Sequence, residues 1–406
     1  MKALIGAVAL SFAAPTLASE VPEWQAVDAD TGQIRDIAGL EQLARDFPDS
    51  GTVRLRALQP YLQAEEMEKV METLKWLYDR GYVFSEVSQQ QISNLMEGVD
   101  PGRIAERLRS EAEVIETSQA IDFVVADAQL IESVLRDPID DRLIVTSVID
   151  KAVFAHKWAK SWEGYRPKGA ANLSGIALSW DAAVIWFGSG HIDGSDDTDG
   201  FAGLIGLTRE GTREIRIAAP NDVSISDIVA ADDGMIYGSD PIEGGVYFAS
   251  PEDEQMQALV PPGTFRSPQG LAVSADGTKL YVSDYRYGIA VVDLRTSKVS
   301  RLSTDLPLIL DGIDGMWRYG NELIAVQNGT SPMRIAAFEL SEDGMSVIGH
   351  RILEQAHSEW TEPLSGNLDG DSLLYIGNGQ WDRFVKGEPV QDKPALPTQI
   401  RRLPIR

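Results

Sequence analysis

The sequence contains no cysteine and only four histidines among its 406 residues. Disulfides, thiolate chemistry, zinc–cysteine sites and iron–sulfur clusters are therefore excluded. Stability must come from burial of an apolar core, which a chain of this length can supply.

Basic residues are also few. The chain has 36 lysines and arginines against 62 aspartates and glutamates, and its net charge is −26. It lacks the basic stripe that neutralises phosphates, which argues against nucleic acid as a partner. The same charge argues against adhesion to anionic lipid.

Long apolar runs are missing as well. Residues 3–14 form a short apolar stretch between the basic Lys2 and the small residues that end at Ala18. This stretch has the length of a signal peptide and is too short to span a bilayer. We therefore expect residues 1–18 to be a signal peptide, and the mature chain to be periplasmic or secreted without a membrane span. An uncleaved anchor is the alternative.

Residues 20–118 have apolar residues at helical spacing. The spacing predicts helices at 37–47, 53–62 and 67–78. The pair Asp100-Pro101 predicts a further helix that runs to about residue 115. We expect a helical, faintly repeat-like domain, which is either a cap packed on the rest of the chain or a docking surface for a protein partner.

Residues 121–406 repeat one pattern six times. Each copy is a short turn motif followed, about ten residues later, by an apolar strand that ends in small or polar residues. The first residues of the six motifs, called anchors below, are Glu132, Ser174, Ser226, Gln269, Asp314 and Ser365. A spacing of 42 to 52 residues in strand-rich sequence is typical of a β-propeller with one four-stranded blade per copy. The sequence thus predicts an all-β six-bladed propeller preceded by a small α-helical domain.

Blade four shows the predicted plan most clearly. Its strands are expected at 269–274, 279–283, 288–294 and 298–303, with Gly277 supplying the left-handed residue of the first hairpin. Gly234, Gly320 and Gly370 occupy the same turn in other copies. Strands at 121–125 and 398–404 are expected to join blade six, which closes the ring and removes exposed edges.

Acidic residues mark the alternate anchors. Glu132, Asp314 and Asp227, which follows the Ser226 anchor, should converge at the mouth of the central channel. Converging carboxylates repel each other unless they are protonated or bridged by a cation. Two carboxylates and an amide would suit a hard divalent ion such as calcium or magnesium, and zinc is an alternative.

Two segments resemble the metal-ligand signatures of a superfamily of six-bladed propeller lactonases. They are Glu132-Ser-Val-Leu-Arg-Asp137 on blade one and Asp314-Gly315-Met316 on blade five. The superfamily comprises gluconolactonase, senescence-marker-protein and luciferin-regenerating-enzyme-like proteins. Its third ligand, an asparagine before Gly-Leu on blade four, is Gln269 here. On blade three, members of the superfamily have an asparagine next to an aspartate, and these residues contact the substrate. This chain has Ser226-Asp227 at that position.

The resemblance implies that Glu132, Gln269 and Asp314 hold one divalent cation. Calcium is favoured, and zinc, magnesium and manganese stay open. It also implies a catalytic role for Asp314 and contacts from Ser226 and Asp227 to a small-molecule substrate. The expected function is hydrolysis of a lactone or related cyclic ester.

Other polar residues of the predicted rim are candidates for substrate contact or proton transfer. Arg286, between two tyrosines, is expected to grip a substrate carboxylate or hydroxyl, and His191 is expected to contact the substrate. Either His191 or His357 could also transfer a proton. The acidic loop 191–200 resembles the start of a calcium loop but has Gly206 where the twelfth position needs glutamate. Such a loop could instead be a substrate lid.

The alternative function is a non-catalytic propeller that binds a protein or peptide, as NHL-repeat propellers do. It predicts an aromatic mouth formed by Trp317, Trp360, Trp381 and Tyr285, with the helical domain as a second docking face.

Overall fold

The computed structural model describes residues 21–96, 111–157, 161–209, 213–221 and 223–406. The predicted signal peptide, residues 1–18, lies outside these ranges. Within them, no helix is long and apolar enough to cross a membrane.

Among the described residues, four α-helices precede the strands. They are α1 (Ile37–Asp46), α2 (Gly51–Gln63), α3 (Met67–Asp79) and α4 (Glu86–Met96). The side chains of Asp36 and Ser50 cap α1 and α2, each by accepting a backbone N–H from the first turn. The first three helices lie where the apolar spacing predicts them, whereas α4 was not predicted individually.

The helix predicted from Asp100-Pro101 falls largely on residues 97–110, outside the described part of the chain. Its predicted end is wrong. Residues 111–114 have no regular structure, and Ile115 forms an isolated antiparallel bridge with Gln355.

The strands form a six-bladed β-propeller, as the repeat predicts. Blade one contains β2 (Ile131–Asp137), β3 (Arg142–Ser147), β4 (Ala152–Lys157) and β5 (Glu163–Tyr165). Blade two contains β6 (Asn172–Leu178), β7 (Val184–Gly190), β8 (Gly203–Thr208) and β9 (Glu214–Ala218). Blade three contains β10 (Ile228–Ala230), β11 (Ile236–Asp240), β12 (Gly245–Ala249) and β13 (Gln257–Val260).

The other three blades continue the order. Blade four contains β14 (Pro268–Val273), β15 (Lys279–Asp284), β16 (Gly288–Asp293) and β17 (Val299–Arg301). Blade five contains β19 (Met316–Tyr319), β20 (Glu322–Gln327), β21 (Arg334–Leu340) and β22 (Ser346–Gln355), with the short β18 (Ser303–Thr304) added parallel to β22. Blade six combines β23 (Gly366–Asp369), β24 (Ser372–Ile376) and β27 (Thr398–Pro404) with β1 (Gln119–Val124). A separate hairpin, β25 (Phe384–Val385) and β26 (Glu388–Pro389), lies in the connection between β24 and β27.

Two details of the blades agree with the sequence. β27 pairs antiparallel with both β1 and β24, so the two ends of the propeller segment close blade six. The four predicted hairpin glycines, Gly234, Gly277, Gly320 and Gly370, all have positive φ. Both predictions are confirmed.

The helices and the segment before them pack on blade four. Glu23 forms an isolated antiparallel bridge with Ser300 of the outer strand of that blade. The Trp24 ring contacts Phe47 after α1 and Phe265 of the propeller, with centroid distances of 4.9 and 5.3 Å. Residues of the helices, of blade four and of the neighbouring blade three share one apolar core.

A buried carboxylate fixes α2 to the propeller. Asp311, between blades four and five, accepts the backbone N–H groups of Gly51 and Thr52, each at 2.8 Å. It also accepts a hydrogen bond from the Ser50 hydroxyl at 3.1 Å. The propeller therefore supplies a second cap for α2, and the helices lie against it as a cap.

Candidate functional site

The anchors lie where the first strand of a blade begins, at one face of the propeller. In blades one, two and four the strand pairing slips at the anchor itself. The slips fall between Ile131 and Val134, Leu173 and Ile176, and Pro268 and Leu271. Bulges of this kind redirect side chains and recur next to functional sites. The repeated turn motif is therefore a bulged start of the inner strand.

The glycine after the anchor allows neighbouring blades to approach each other. Gly270 donates its N–H to the carbonyl oxygen of Asp314 at 2.9 Å. A Cβ at Gly270 would lie 2.4 Å from the nitrogen of Met316, so the contact leaves no room for a side chain. This bond holds the anchors of blades four and five side by side.

Glu132 and Asp314 lie in an acidic environment that disfavours their ionisation. Burial, followed by the charges of Asp314 and Asp227, raises the pKa of Glu132 well above its usual value. Burial, followed by the charges of Asp227 and Glu362, raises the pKa of Asp314 in the same way. Asp314 Oδ2 is buried, and no described residue hydrogen-bonds to it. Such an oxygen needs a proton or a cation as its partner.

Two more carboxyl groups belong to this cluster. Burial raises the pKa of Asp227 to about 7, against the opposing effect of a hydrogen bond from Ser365. Burial, and then the charge of Asp382, raises the pKa of Glu362. Glu362 was not predicted, because it stands three residues before the nearest anchor. Glu132, Asp227, Asp314 and Glu362 are called the channel carboxyl cluster below.

Neutral hydrogen-bond donors lie next to the cluster. Trp381 Nε1 donates to Glu132 Oε2 at 2.8 Å and partly offsets the rise in the pKa of Glu132. The Tyr285 hydroxyl donates to Asn328 Oδ1 at 2.9 Å. Burial, then the charge of Asp314, raises the pKa of Tyr285, so its phenol stays neutral. The sequence predicted Trp381 and Tyr285 only as part of an aromatic mouth.

Gln269 could complete a set of oxygen ligands. Its Nε2 donates to Ser267 Oγ at 3.2 Å, which leaves Oε1 as the remaining acceptor. Within the described ranges, no three His, Cys, Asp or Glu side chains form a group that could hold a metal ion. The predicted ligand set differs from such a group, because one of its three members is the Gln269 amide and only two are carboxylates.

The predicted substrate-binding residues are not all brought together. The Ser174 hydroxyl donates to the carbonyl oxygen of Ser226 at 2.9 Å, so these two anchors are tied to each other. His191 directly follows β7, and its backbone N–H donates to Ser224 Oγ at 3.0 Å. Arg286 is exposed and lines a separate cleft between α2 and blade four. Its guanidinium also lies 5.6 Å from the centroid of the Tyr285 ring.

Loop 191–200 contacts an insertion of blade six, residues 377–397, which contains Trp381. Lys386 Nζ lies 3.3 Å from Asp196 Oδ2. Phe384 packs with Leu130 and Val148 of blade one. Because the insertion also reaches Glu132 through Trp381, the two loops together border the blade-one side of the cluster. In the calcium-like part of the loop, Asp197 pairs with Lys151 at 3.2 Å.

The predicted aromatic mouth is not formed. Trp360 is buried and donates Nε1 to the Tyr375 hydroxyl at 3.0 Å. Trp317 lines a cavity at the opposite face. The prediction of His357 as a rim residue is also wrong, because His357 is buried with its Nε2 at 2.7 Å from Arg401 Nη2.

That opposite cavity has a volume of about 680 Å³ and opens among the hairpin turns of the blades. Its lining includes Arg136, Arg318 and Asp227. Asn367 donates Nδ2 to carbonyl oxygens of blades one and two, at 3.1 and 3.0 Å. The cavity therefore reaches Asp227 of the channel carboxyl cluster from the face opposite the predicted mouth.

Comparison with known proteins adds a likeness of fold. No protein-family model and no curated protein matches the chain. The structure is similar to a gluconolactonase from Xanthomonas campestris, with 14% identity over 73% of this chain and 99% of that chain and a TM-score of 0.48. It is also similar to luciferin-regenerating enzyme, with 15% identity over 71% of this chain and 94% of that chain and a TM-score of 0.47. A calcium-binding regucalcin from Agrobacterium tumefaciens has 14% identity over 70% of this chain and 95% of that chain, with a TM-score of 0.47.

Proposed function

We propose that this protein hydrolyses a lactone or related cyclic ester at the channel carboxyl cluster, with one divalent cation as cofactor. The observation that supports this most is Asp314 Oδ2, a buried carboxylate oxygen to which no described residue hydrogen-bonds. Other acidic groups surround it and raise the pKa of Asp314 further. Perturbed, unpartnered groups of this kind concentrate at functional sites.

Glu132, Gln269 and Asp314 would hold the cation through oxygen atoms. This donor set fits a hard ion, calcium or magnesium above all. A positive charge here would also offset the repulsion that raises the pKa of Glu132 and of Asp314. When bound, the ion would stabilise negative charge that develops on the ester carbonyl oxygen.

Asp314 would act as the general base. It would accept a proton from the water that attacks the ester carbonyl carbon. The ring C–O bond would then break, Asp314 would return the proton to the alkoxide oxygen, and a hydroxy acid would be released. Asp314 Oδ2, to which no described residue hydrogen-bonds, is free to accept that proton. Ser226, Asp227 and the neutral Tyr285 hydroxyl would orient the ring through hydrogen bonds.

The test measures cation binding and hydrolysis in the same proteins. Metal-depleted protein is titrated with calcium, manganese and zinc by calorimetry, and acid release from five- and six-membered lactones is followed at constant pH. We expect Asp314→Asn to lower kcat/KM by about 100-fold or more, because it removes the base. Glu132→Gln should weaken cation binding by about tenfold, since it removes one charged ligand.

Asp305→Asn is the matched control, because Asp305 is an exposed aspartate outside the channel. It should bind cations and hydrolyse lactones as the wild type does. Unchanged cation affinity in the Glu132→Gln/Asp314→Asn double variant would refute the metal site. Lactone hydrolysis no faster than in buffer would refute the activity.

Binding of a protein or peptide partner was the second candidate function. The structure separates the aromatic residues on which that function depended, with Trp360 buried and Trp317 at the opposite face. The hydrolase is therefore the function that the described site supports better.

A further inference from the structure

A second charged site, of opposite sign, lies between the helices and blade four. It is a cleft of about 840 Å³ whose lining includes four arginines, Arg35, Arg56, Arg266 and Arg286. None of its described lining residues is an aspartate or glutamate. In a chain with 62 acidic and 36 basic residues, such a lining is unexpected.

Two of the arginines are oriented by neutral partners. Arg56 Nη1 donates to the Tyr287 hydroxyl at 3.0 Å, and its Nη2 donates to the carbonyl oxygen of Ile34 at 2.9 Å. Arg35 Nη1 donates to the carbonyl oxygen of Gly32 at 2.7 Å. Phenol and carbonyl partners fix a guanidinium in place but leave its positive charge uncompensated.

The other two arginines are positioned through their backbone. The N–H groups of Arg266 and Arg286 both donate to the buried carboxylate of Asp284, at 2.6 and 2.9 Å. Neither guanidinium has a hydrogen bond or ion pair among the described residues; that of Arg286 lies 5.6 Å from the centroid of the Tyr285 ring. Asp284 thus places two cationic side chains at the cleft while its own oxygens bind amides.

The rest of the lining suits a polar ligand. Neutral side chains that can donate or accept hydrogen bonds lie beside apolar ones such as Leu55 and Pro60; the polar ones are Thr52, Gln33, Gln59 and Gln63. The volume lies within the range of about 300–1,000 Å³ that is usual for small-molecule sites. Like charges gathered in one cleft repel each other, so an anion bound among them would be stabilised by all four.

We propose that this cleft binds a small organic anion with two or more negative charges, on phosphate or carboxylate groups. Arginine recognises both groups through paired N–H donors. Several charges are needed to engage arginines that project from α2, from the segment before α1 and from two loops of blade four. The net charge of −26 disfavours a long polyanion, which would extend beyond the cleft across acidic surface. The site does not depend on the proposed hydrolase function.

Inorganic pyrophosphate and citrate serve as probes for the two anion chemistries. Each is titrated by calorimetry into metal-free protein at low and at physiological ionic strength. We expect the wild type to bind at least one of them, more weakly at the higher ionic strength. The double variant Arg266→Gln/Arg286→Gln should bind at least about tenfold more weakly, since it removes two charge-assisted partners.

Arg295→Gln/Lys298→Gln is the matched control. It removes the same charge from exposed positions in the turn between β16 and β17, at the far end of blade four. Its affinity should equal that of the wild type. Glu132→Gln/Asp314→Asn should also bind the anion normally, which separates failure of this site from failure of the channel site.

Two outcomes would overturn the proposal. One is a wild type that binds neither probe; the other is an equal loss of affinity in the control pair, which would make the effect one of net charge. If the double variant unfolds, the single change Arg286→Gln at an exposed residue replaces it, and several-fold weaker binding is expected.

Discussion

The pKa values of two aspartates in the propeller are shifted in opposite directions because their surroundings differ. At the exposed hairpin of blade four, hydrogen bonds from Ser274 and Thr278 hold the pKa of Asp276 below its usual range. In the channel, burial raises the pKa of Asp227 to about 7. Donors stabilise the charged form and loss of water destabilises it. Asp227 should therefore make the folded protein less stable as the pH rises.

The first prediction concerns Asp227→Asn in metal-free protein. The folded pKa of about 7 lies above the reference value of 3.8, so the contribution of Asp227 is fully present below pH 3.8. It is lost as the pH rises through 7, at a cost of at most about 4 kcal/mol in the free energy of unfolding. Asparagine cannot ionise, and we expect a higher Tm than wild type at pH 8 but a similar Tm at pH 4.

Thermal melts from pH 4 to pH 8 check this prediction. Asp305→Asn, which changes an exposed aspartate, should follow the wild type at every pH. A Tm for Asp227→Asn that is lower than that of the wild type at pH 8 would contradict the explanation.

The sequence predicted only part of this cluster. Glu132, Asp227 and Asp314 could be grouped because residues at equivalent positions of a ring repeat converge on one axis. Glu362 and Trp381 lie outside the repeated motif, in connections whose course depends on packing between blades. A pattern with a fixed period contains no information about such connections.

At the scale of elements, α2 is stabilised by residues from two distant parts of the chain. Ser50 caps it locally, as the sequence allows, by accepting the N–H of Val53 at 3.1 Å. Asp311, which is 260 residues from Gly51, accepts two more N–H groups of the first turn. The apolar spacing predicted the helix, but no local pattern could predict its partner on the propeller.

The second prediction compares Asp311→Ala with Asp36→Ala. Asp36 caps the exposed start of α1 by accepting the N–H of Gly39 at 2.8 Å, and its loss should cost about 1 kcal/mol. Loss of Asp311 leaves two N–H groups without a partner at a buried interface and should cost about 2–4 kcal/mol. Urea unfolding measures both values. Limited proteolysis should cut residues 21–96 faster in Asp311→Ala alone; equal losses of stability and equal cleavage would argue against α2 being held by the propeller.

At the scale of the whole molecule, the ring depends on one strand. β27 lies between β24 and β1, with Ile400 paired to Ile376 on one side and to Asp122 on the other. Closure was predictable because both ends of the propeller segment read as strands and a sheet edge favours a partner. The placement of the helices on blade four was not predictable, because it depends on tertiary contacts such as that of Trp24 with Phe265.

The last prediction follows from this closure. Removal of residues 398–406 should leave β1 and β24 with unpaired edges and uncover the core around the fully buried Ile400, Leu403 and Ile405. We expect aggregation in light scattering and a broad thermal transition in place of a cooperative one. Removal of the exposed Arg406 alone is the control and should change neither. Because Glu132 and Asp314 belong to different blades, the effect of the Asp314 charge on the pKa of Glu132 requires the closed ring. A shortened chain that stays monomeric and melts cooperatively would show that closure by β27 is dispensable.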